Sequence, residues 1–431
     1  MTGDDPLAWL YGRTTGGIRW GLERTEELLA GVGNPHRRFR SVHVGGTNGK
    51  GSVSALCESA LRAELPGRKV GMYTSPHLVR FAERIRIDGA PVDDALLASC
   101  VDRVRADVER TGATFFEATT AVAFLCFAEA GVDVAVVEVG LGGRLDSTNV
   151  VSPAATAVTN VARDHAEYLG DSPGEIAWEK AGIWKEGVPA LTGETDPVAL
   201  RVLRDRAAAA GASFTALDDV ARVEDVRLSP GGTAFRHRSE AWGDRELRIP
   251  LVGAHQARNA ALAAELLALL PAELRPGWEA VERGFASVRW PGRFQVEEIR
   301  GTTWVLDVAH NPAGVQALAA TLDAVPLPRP MVLVAGVLSD KEWSDMLPPL
   351  LARVDAAILT VAPTAPESRR WDPVAVSAAL PRDLDIPVRV IPELEAALAR
   401  ASTLAPYGTV LVTGSVHTVG DALPILGLPS L

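Results

Sequence analysis

The chain has 431 residues, 47% of them hydrophobic, which is enough for more than one packed core. Its formal net charge is −11 with no block of like charge, which argues against nucleic acid or an anionic membrane as the main partner. No apolar run is long enough to span a bilayer, and the acidic start MTGDDPLAWL is unlike a signal peptide. Three cysteines, Cys57, Cys100 and Cys126, with no CxxC pair, read as reduced core thiols of a cytoplasmic protein.

Apolar, β-branched runs alternate with helical patterns, which predicts α/β layering around a mainly parallel sheet. In chain order, strands are predicted at Val42–Gly45, Val70–Thr74, Val132–Val139, Thr156–Thr159 and Val188–Leu191. Helices are predicted at Gly51–Leu65, Asp93–Arg110, Glu117–Ala130, Pro173–Lys185 and Pro197–Ala210. From Ser213 to Leu251, short strands and turns such as SPGGT predict an antiparallel patch, followed by helices at His255–Leu270 and Gly277–Phe285. The WPGR stretch, Trp290–Arg293, predicts a boundary between a domain over 1–290 and a smaller one over 291–431. Beyond it the alternation restarts, with strands at Thr303–Leu306, Met331–Ala335, Ala356–Thr360, Val388–Ile391 and Thr409–Thr413. The fold class is therefore α/β: a P-loop-type, mostly parallel sheet flanked by helices, then a Rossmann-like α/β unit.

Four places carry chemistry. In SVHVGGTNGKGSVSA, a strand runs into a glycine-rich turn and a helix that begins near Lys50. Small residues at Gly46, Gly49 and Gly51 let backbone N–H groups approach an anion, and the helix adds its positive end. Lys50 can reach a phosphate and Ser52 a divalent cation, yet the common phosphate loop puts the hydroxyl directly after the lysine and has no counterpart of Gly51. Glu138 ends a nearly continuous apolar strand, where a buried carboxylate needs a partner: a metal-bound phosphate, or an arginine such as Arg144. In TNVARDHAEYLGDSPGEIAWEKAGIWK, His165 could bind a metal through a neutral ring nitrogen, and Lys180 lies on a helix N-capped by Ser172. In WVLDVAHNPAGVQAL, Asp307 ends a strand and His310 precedes a helix. Asn311 also reads as that helix's cap.

Lysine is scarce: only Lys50, Lys69, Lys180, Lys185 and Lys341 among 43 basic residues. Arginine cannot readily serve as a neutral nucleophile, so places that keep an amine gain interest.

Taken together, GTNGKGS, TSPHL, FFEATT, EVGLGGRLDSTN, TNVARDHAEYLG, EKAGIWK, GAHQARNAALA, WPGRF and DVAHNP occur in one order over nearly the whole chain. This resembles the folylpolyglutamate synthase/dihydrofolate synthase family, within the Mur-type ATP-dependent ligases. The family's loop carries the extra glycine, so Gly51 is a mark of it. The resemblance implies ATP-dependent ligation of L-glutamate to the carboxylate of a pteroate or folate through an acyl phosphate. It implies that Gly46, Thr47, Asn48, Gly49, Lys50, Gly51 and Ser52 hold ATP phosphates, with Asn259, Arg293 and Asp307 contacting nucleotide. Ser75, Glu138 and His165 are the implied magnesium ligands, shared over two ions, and Lys180 matches a carbamylated lysine. Lys50, Lys180, Asp307 and His310 form the implied catalytic set, while Phe116 and Asp146 match pterin-site positions. Phe116 also reads as core, and Lys180 as a salt-bridge residue. The resemblance leaves room for a monovalent cation and implies a cytoplasmic monomer acting on small molecules. The competing readings are another Mur-type ligase and a non-catalytic ATP-binding regulator. The first loop begins about 40 residues in, which leaves little room for a further N-terminal domain. Lys341 and Ser415 fall in looser family segments and receive no role.

Overall fold

The computed structural model describes residues 5–431 apart from 18, 65–66 and 382–383. Its largest sheet is built from β1 (Arg40–Gly45), β2 (Val70–Tyr73), β3 (Ile85–Ile87), β4 (Ala90–Pro91), β5 (Val134–Glu138), β6 (Pro153–Val158), β7 (Pro189–Thr192) and β8 (Ser213–Ala216). The spatial order is β4-β3-β2-β5-β1-β6-β7-β8, parallel from β2 to β8, with β3 and β4 antiparallel at one edge.

The central strands are apolar on both faces because both are covered. Val134 and Val136 of β5 join a core with the helix Lys50–Glu64 and the helix Ala254–Ala268. Ala135 and Val137, pointing the other way, join a core with the helices Asp94–Thr111 and Phe115–Ala130. The register aligns Val44 with Glu138 and Gly45 with Val158, so the carboxyl ends of β5, β1 and β6 lie side by side. The chain runs from β1 to β2 on one side and later crosses from β5 to β6 on the other, and such a switch point opens a crevice where ligands gather.

The strands β9 (Ala221–Ser229), β10 (Gly232–Ser239) and β11 (Gly243–Ile249) form a separate antiparallel sheet. The predicted antiparallel patch is thus real but starts later. Ser213–Ala216 instead pairs parallel with β7, because the helix Pro197–Ala210 returns the chain to that edge.

A third sheet contains β12 (Gln295–Ile299), β13 (Thr302–Leu306), β14 (Met331–Ala335), β15 (Ala356–Val361), β16 (Val388–Glu393) and β17 (Thr409–Thr413). Its order is β12-β13-β17-β14-β15-β16, with only β12 antiparallel. The short edge strands β3, β4 and β12 have no counterpart in the sequence reading, since a few residues at an edge carry little periodicity. Leu65, the last residue of one predicted helix, lies outside the described residues, as do the first four residues of the acidic start. The helix predicted over Pro173–Lys185 ends at Lys180 and tightens into a 3₁₀ turn, Ala181–Ile183. Among the described residues, no helix is long and apolar enough to cross a membrane.

Candidate active site

The turn after β1 is held from below by the segment after β6. Thr47 N–H donates to Asn160 O at 3.0 Å, Asn48 N–H to Asn160 Oδ1 at 2.9 Å, and Thr159 Oγ1 to Asn48 O at 2.7 Å. Gly46 has φ +134°, and a Cβ there would collide with Thr159 Oγ1, so glycine is required twice over. Gly49, with φ +83°, leaves room for the Asn259 amide, which hydrogen-bonds Gln256 at 3.0 Å. Lys50 Nζ donates to Gly46 O and Thr47 O at 3.1 and 2.9 Å, which folds the ammonium over its own loop. Ser52 Oγ is buried with no hydrogen-bond partner among the described residues.

Gly51 has a different reason to be glycine. Its backbone has no positive φ, but a Cβ would lie 2.6 Å from Trp290 Cζ2. The departure from the common phosphate loop is therefore a packing requirement set by an indole far along the chain.

Glu138 is buried at the end of β5, and burial raises its pKa. The Lys50 charge, the Ser75 N–H at 3.2 Å and the Arg293 charge oppose that rise. Arg144, the alternative partner, is taken by Glu179 at 2.9 Å and by the Trp178 ring, so Glu138 keeps one backbone donor and nearby cations. His165 stands at φ +53° beside Asp164, and burial lowers its pKa to about 4, which leaves the ring neutral. Lys180 is 2% exposed, and burial together with Lys50 lowers it to about 7. Among the described residues, no hydrogen bond or ion pair engages its Nζ. The GLGGR turn clamps the chain there: a Cβ at Gly143 would lie 2.8 Å from Lys180 O, and Arg144 N–H donates to Glu179 O at 2.9 Å. The Lys50 charge acts on Glu138, His165 and Lys180 alike, so one ammonium biases the protonation of all three.

The second α/β unit closes this crevice. Asp307 accepts the N–H groups of Phe294 and Ala309, both at 2.8 Å, and the Arg293 charge opposes the rise that burial imposes on it. His310 Nδ1–H donates to Val308 O at 2.9 Å, which leaves Nε2 3.5 Å from Asp164 Oδ2. Asn311 caps the helix Pro312–Ala324 through Gly314 N–H at 2.7 Å. It also donates to Asn48 Oδ1 and Asp164 Oδ2, both at 3.0 Å. Lys341 Nζ donates to Asp164 Oδ1 at 2.6 Å. Burial alone would raise Asp164, but hydrogen bonding by His310 and the charges of His310, Lys341 and His165 hold it well below the carboxylate range. A cleft of about 340 Å³ between the two units is lined in part by Asp164, His165, Asn311 and Lys341.

Comparison with known proteins decides the family. The Mur ligase middle domain matches residues 44–267, and the Mur ligase glutamate ligase domain matches 292–416. A dihydrofolate synthase/folylpolyglutamate synthase of Bacillus subtilis is 38% identical over 352 residues, covering 80% of this chain and 81% of that protein. The chain belongs to the folylpolyglutamate/dihydrofolate synthase family of Mur ligases. A solved Mycobacterium tuberculosis folylpolyglutamate synthase complexed with ADP superposes with a TM-score of 0.89 at 32% identity, covering 98% of this chain and 99% of that one. An Escherichia coli FolC in complex with DHPP and ADP gives 0.87 at 31% identity, covering 98% of both chains.

Within this Mur ligase chain, the two pterin-site candidates differ. Phe116 is half-buried at the start of the helix Phe115–Ala130, with its ring over Gly140, where a Cβ would collide with it. It packs against the core under the helices Asp94–Thr111 and Phe115–Ala130 while lying beside the turn after β5. Asp146 is buried and already accepts N–H groups of Leu141 and Thr148, at 2.8 and 3.0 Å, and the Thr148 hydroxyl. Its geometry is that of a loop-holding residue. Ser415 caps the helix Val416–Ile425 and faces Thr418. Asp164 is the residue that sequence reading passed over. It sits next to His165 in RDHAEYLG, and nothing local marks it, because its partners arrive from the other unit.

Proposed function

We propose that this ligase uses ATP to join L-glutamate to the carboxylate of a pterin, as a dihydrofolate synthase/folylpolyglutamate synthase, through an acyl phosphate. The convergence of Lys50, Glu138, His165 and Lys180 with Asp307 and His310 of the second unit is the observation that carries this reading. The relatives' names support it, as does the ADP complexed with the matched Mycobacterium tuberculosis enzyme.

A carboxylate is a poor electrophile because its leaving group would be oxide. Attack of a carboxylate oxygen on the γ-phosphorus forms a mixed anhydride and expels ADP. The glutamate amine then attacks the acyl carbon, and phosphate leaves. The protein's task is to position the groups and neutralise phosphoryl charge. The loop amides of residues 46–52 and the Lys50 ammonium are assigned to ATP phosphates, with Asn259 and Arg293 also on the nucleotide side. Phe116 and Asp146 are assigned to the pterin pocket, the first as a wall and the second through the loop it holds.

Among the described residues, no cluster of three or more His, Cys, Asp or Glu side chains could cage a metal. That fits Mg²⁺, which keeps several waters and binds through one or two carboxylates plus substrate phosphates. Glu138, Ser75 and His165 would hold it, over one or two ions, and the partnerless Ser52 hydroxyl suits the same role. When bound, Mg²⁺ neutralises charge on the transferring phosphoryl group. Burial brings Lys180 toward the neutral amine that carbamylation needs, and as a carbamate it would offer an oxygen anion to that region. Asp307 holds the backbone that presents His310, whose Nε2 lies 3.5 Å from Asp164 Oδ2 and is assigned a place near the acyl phosphate. We place the working division of the chain at 290/291, with the site between the two units of one molecule.

The test is a paired assay with ATP, Mg²⁺, L-glutamate and either dihydropteroate or a reduced monoglutamyl folate, reading phosphate release and product mass. One glutamate added to each substrate is the expected result. Absence of glutamate-dependent phosphate release with every pterin substrate would sink the reading.

A further inference from the structure

The common phosphate loop has no glycine at the position of Gly51, and the structure gives this glycine a partner. The Trp290 indole covers it, with Cζ2, Cε2 and Nε1 lying 2.6, 3.0 and 3.0 Å from where a Cβ would stand. The indole also packs on the first unit's apolar core, and a charged group lies over it: the Arg86 guanidinium, 6% exposed, is 4.6 Å from the ring centroid. Both Trp290 Nε1 and Arg86 Nε are buried without a hydrogen-bond partner among the described residues. Buried donors are almost always paired, so two orphans in contact mark a junction that packing holds together at a polar cost.

The junction sits where movement would matter. Trp290 begins the segment that leads to Arg293, whose charge acts on both Glu138 and Asp307. Gly292 between them is packed on the second unit: Val308 N–H donates to its carbonyl at 3.0 Å, and a Cβ would lie 2.9 Å from Val308 Cγ1. One short stretch thus touches the first turn of the phosphate-loop helix at one end and the second unit, just past β13, at the other.

We propose that Trp290, seated on Gly51 and backed by Arg86, is a positioning residue that ties the phosphate loop to the placement of Arg293 and the second unit. It acts through Gly51 and Arg293, and lines a cavity with Ser75 and Glu138. The consequence for the reaction rests on the ligase reading above, but the effect on nucleotide affinity does not.

The experiment is a double-mutant cycle on the full chain, measuring ADP affinity by calorimetry and steady-state KM and kcat. Gly51→Ala inserts a methyl where the outer indole ring stands. It is expected to weaken ADP binding and raise the ATP KM about tenfold or more, with glutamate and pterin KM values moving less than about twofold. Trp290→Phe removes Cζ2 and Nε1 and frees that space. In Gly51→Ala/Trp290→Phe, at least half of the logarithmic loss is expected to return. Melting temperatures identify any variant that fails to fold, and Trp290→Tyr replaces Trp290→Phe in that event. Wild-type ADP affinity in Gly51→Ala, or a double variant no better than the single, overturns the proposal. If ligation is absent in every variant while the ADP cycle shows the expected coupling, the function reading fails and the junction stands.

Discussion

A lysine amine is an ammonium in neutral water, but Lys180 is buried, and with Lys50 nearby its pKa falls to about 7. The sign of the pH effect follows: the neutral form, which alone reacts with CO₂, gains population as pH rises through 7. Bicarbonate-dependent activation should therefore grow from about pH 6 to about pH 8, compared in CO₂-depleted and supplemented buffer. Lys180→Ala should lower ligation about 100-fold or more with the circular dichroism spectrum unchanged, and added short carboxylates should restore part of the rate. An unaltered rate would remove Lys180 from the site. Gly46 makes the opposite kind of case, since it matters for what it lacks. Gly46→Ala puts a methyl against Thr159 at φ +134°, so ADP affinity should drop about tenfold or more by calorimetry. The turn that carries Gly46 and Lys50 was legible in the sequence, because strand, glycines and lysine lie within a few residues. That Lys180 is unpaired was not, because burial depends on the packed surroundings.

At the scale of elements, the segment after β6 does two jobs. Its start, Thr159–Ala162, braces the phosphate loop from one side: Thr47 Oγ1 donates to Ala162 O at 3.0 Å, besides the bonds from Thr47 and Asn48 to Asn160. Its next part carries Asp164, which gathers Lys341, Asn311 and His310 from the second unit, while Arg163 pairs with Glu342. Asp164→Asn keeps the shape but weakens the charge pairing to Lys341. It should lower kcat about tenfold while ADP affinity changes less than about twofold, because the brace is left intact. Steady-state kinetics with glutamate and ATP varied separately checks this, and equal losses in both would argue against separate jobs. Sequence reading found the strand end and the histidine of this segment. It could not find the Asp164 network, since Asn311 and Lys341 lie 147 and 177 residues away.

For the whole molecule, one buried and two half-buried histidines set a stability limit in acid. His43 is fully buried in β1 against Thr148 at 2.9 Å, and burial lowers its pKa to about 3; His36 and His255 are lowered to about 4 by burial. Between the ordinary value of 6.5 and these folded values, the unfolded chain binds protons that the folded chain does not, so stability falls as pH falls. Urea unfolding should show lower stability at about pH 5 than at about pH 7, with a shallower dependence in His43→Gln. An identical pH slope in that variant would count against His43 as a source. The presence of two α/β units, and the glycine-rich turn and buried carboxylate at the carboxyl ends of the first sheet's strands, followed from patterns already present in the chain. Alternating apolar runs dictate strands and helices, and turn glycines and strand-end carboxylates mark where those strands end. Only the tertiary structure decided why Gly51 must be glycine, why Arg144 leaves Glu138 free, and which groups gather on Asp164. In each case the reason is exclusion or pairing by a side chain brought from a distant part of the sequence, and such contacts leave no mark in local spacing.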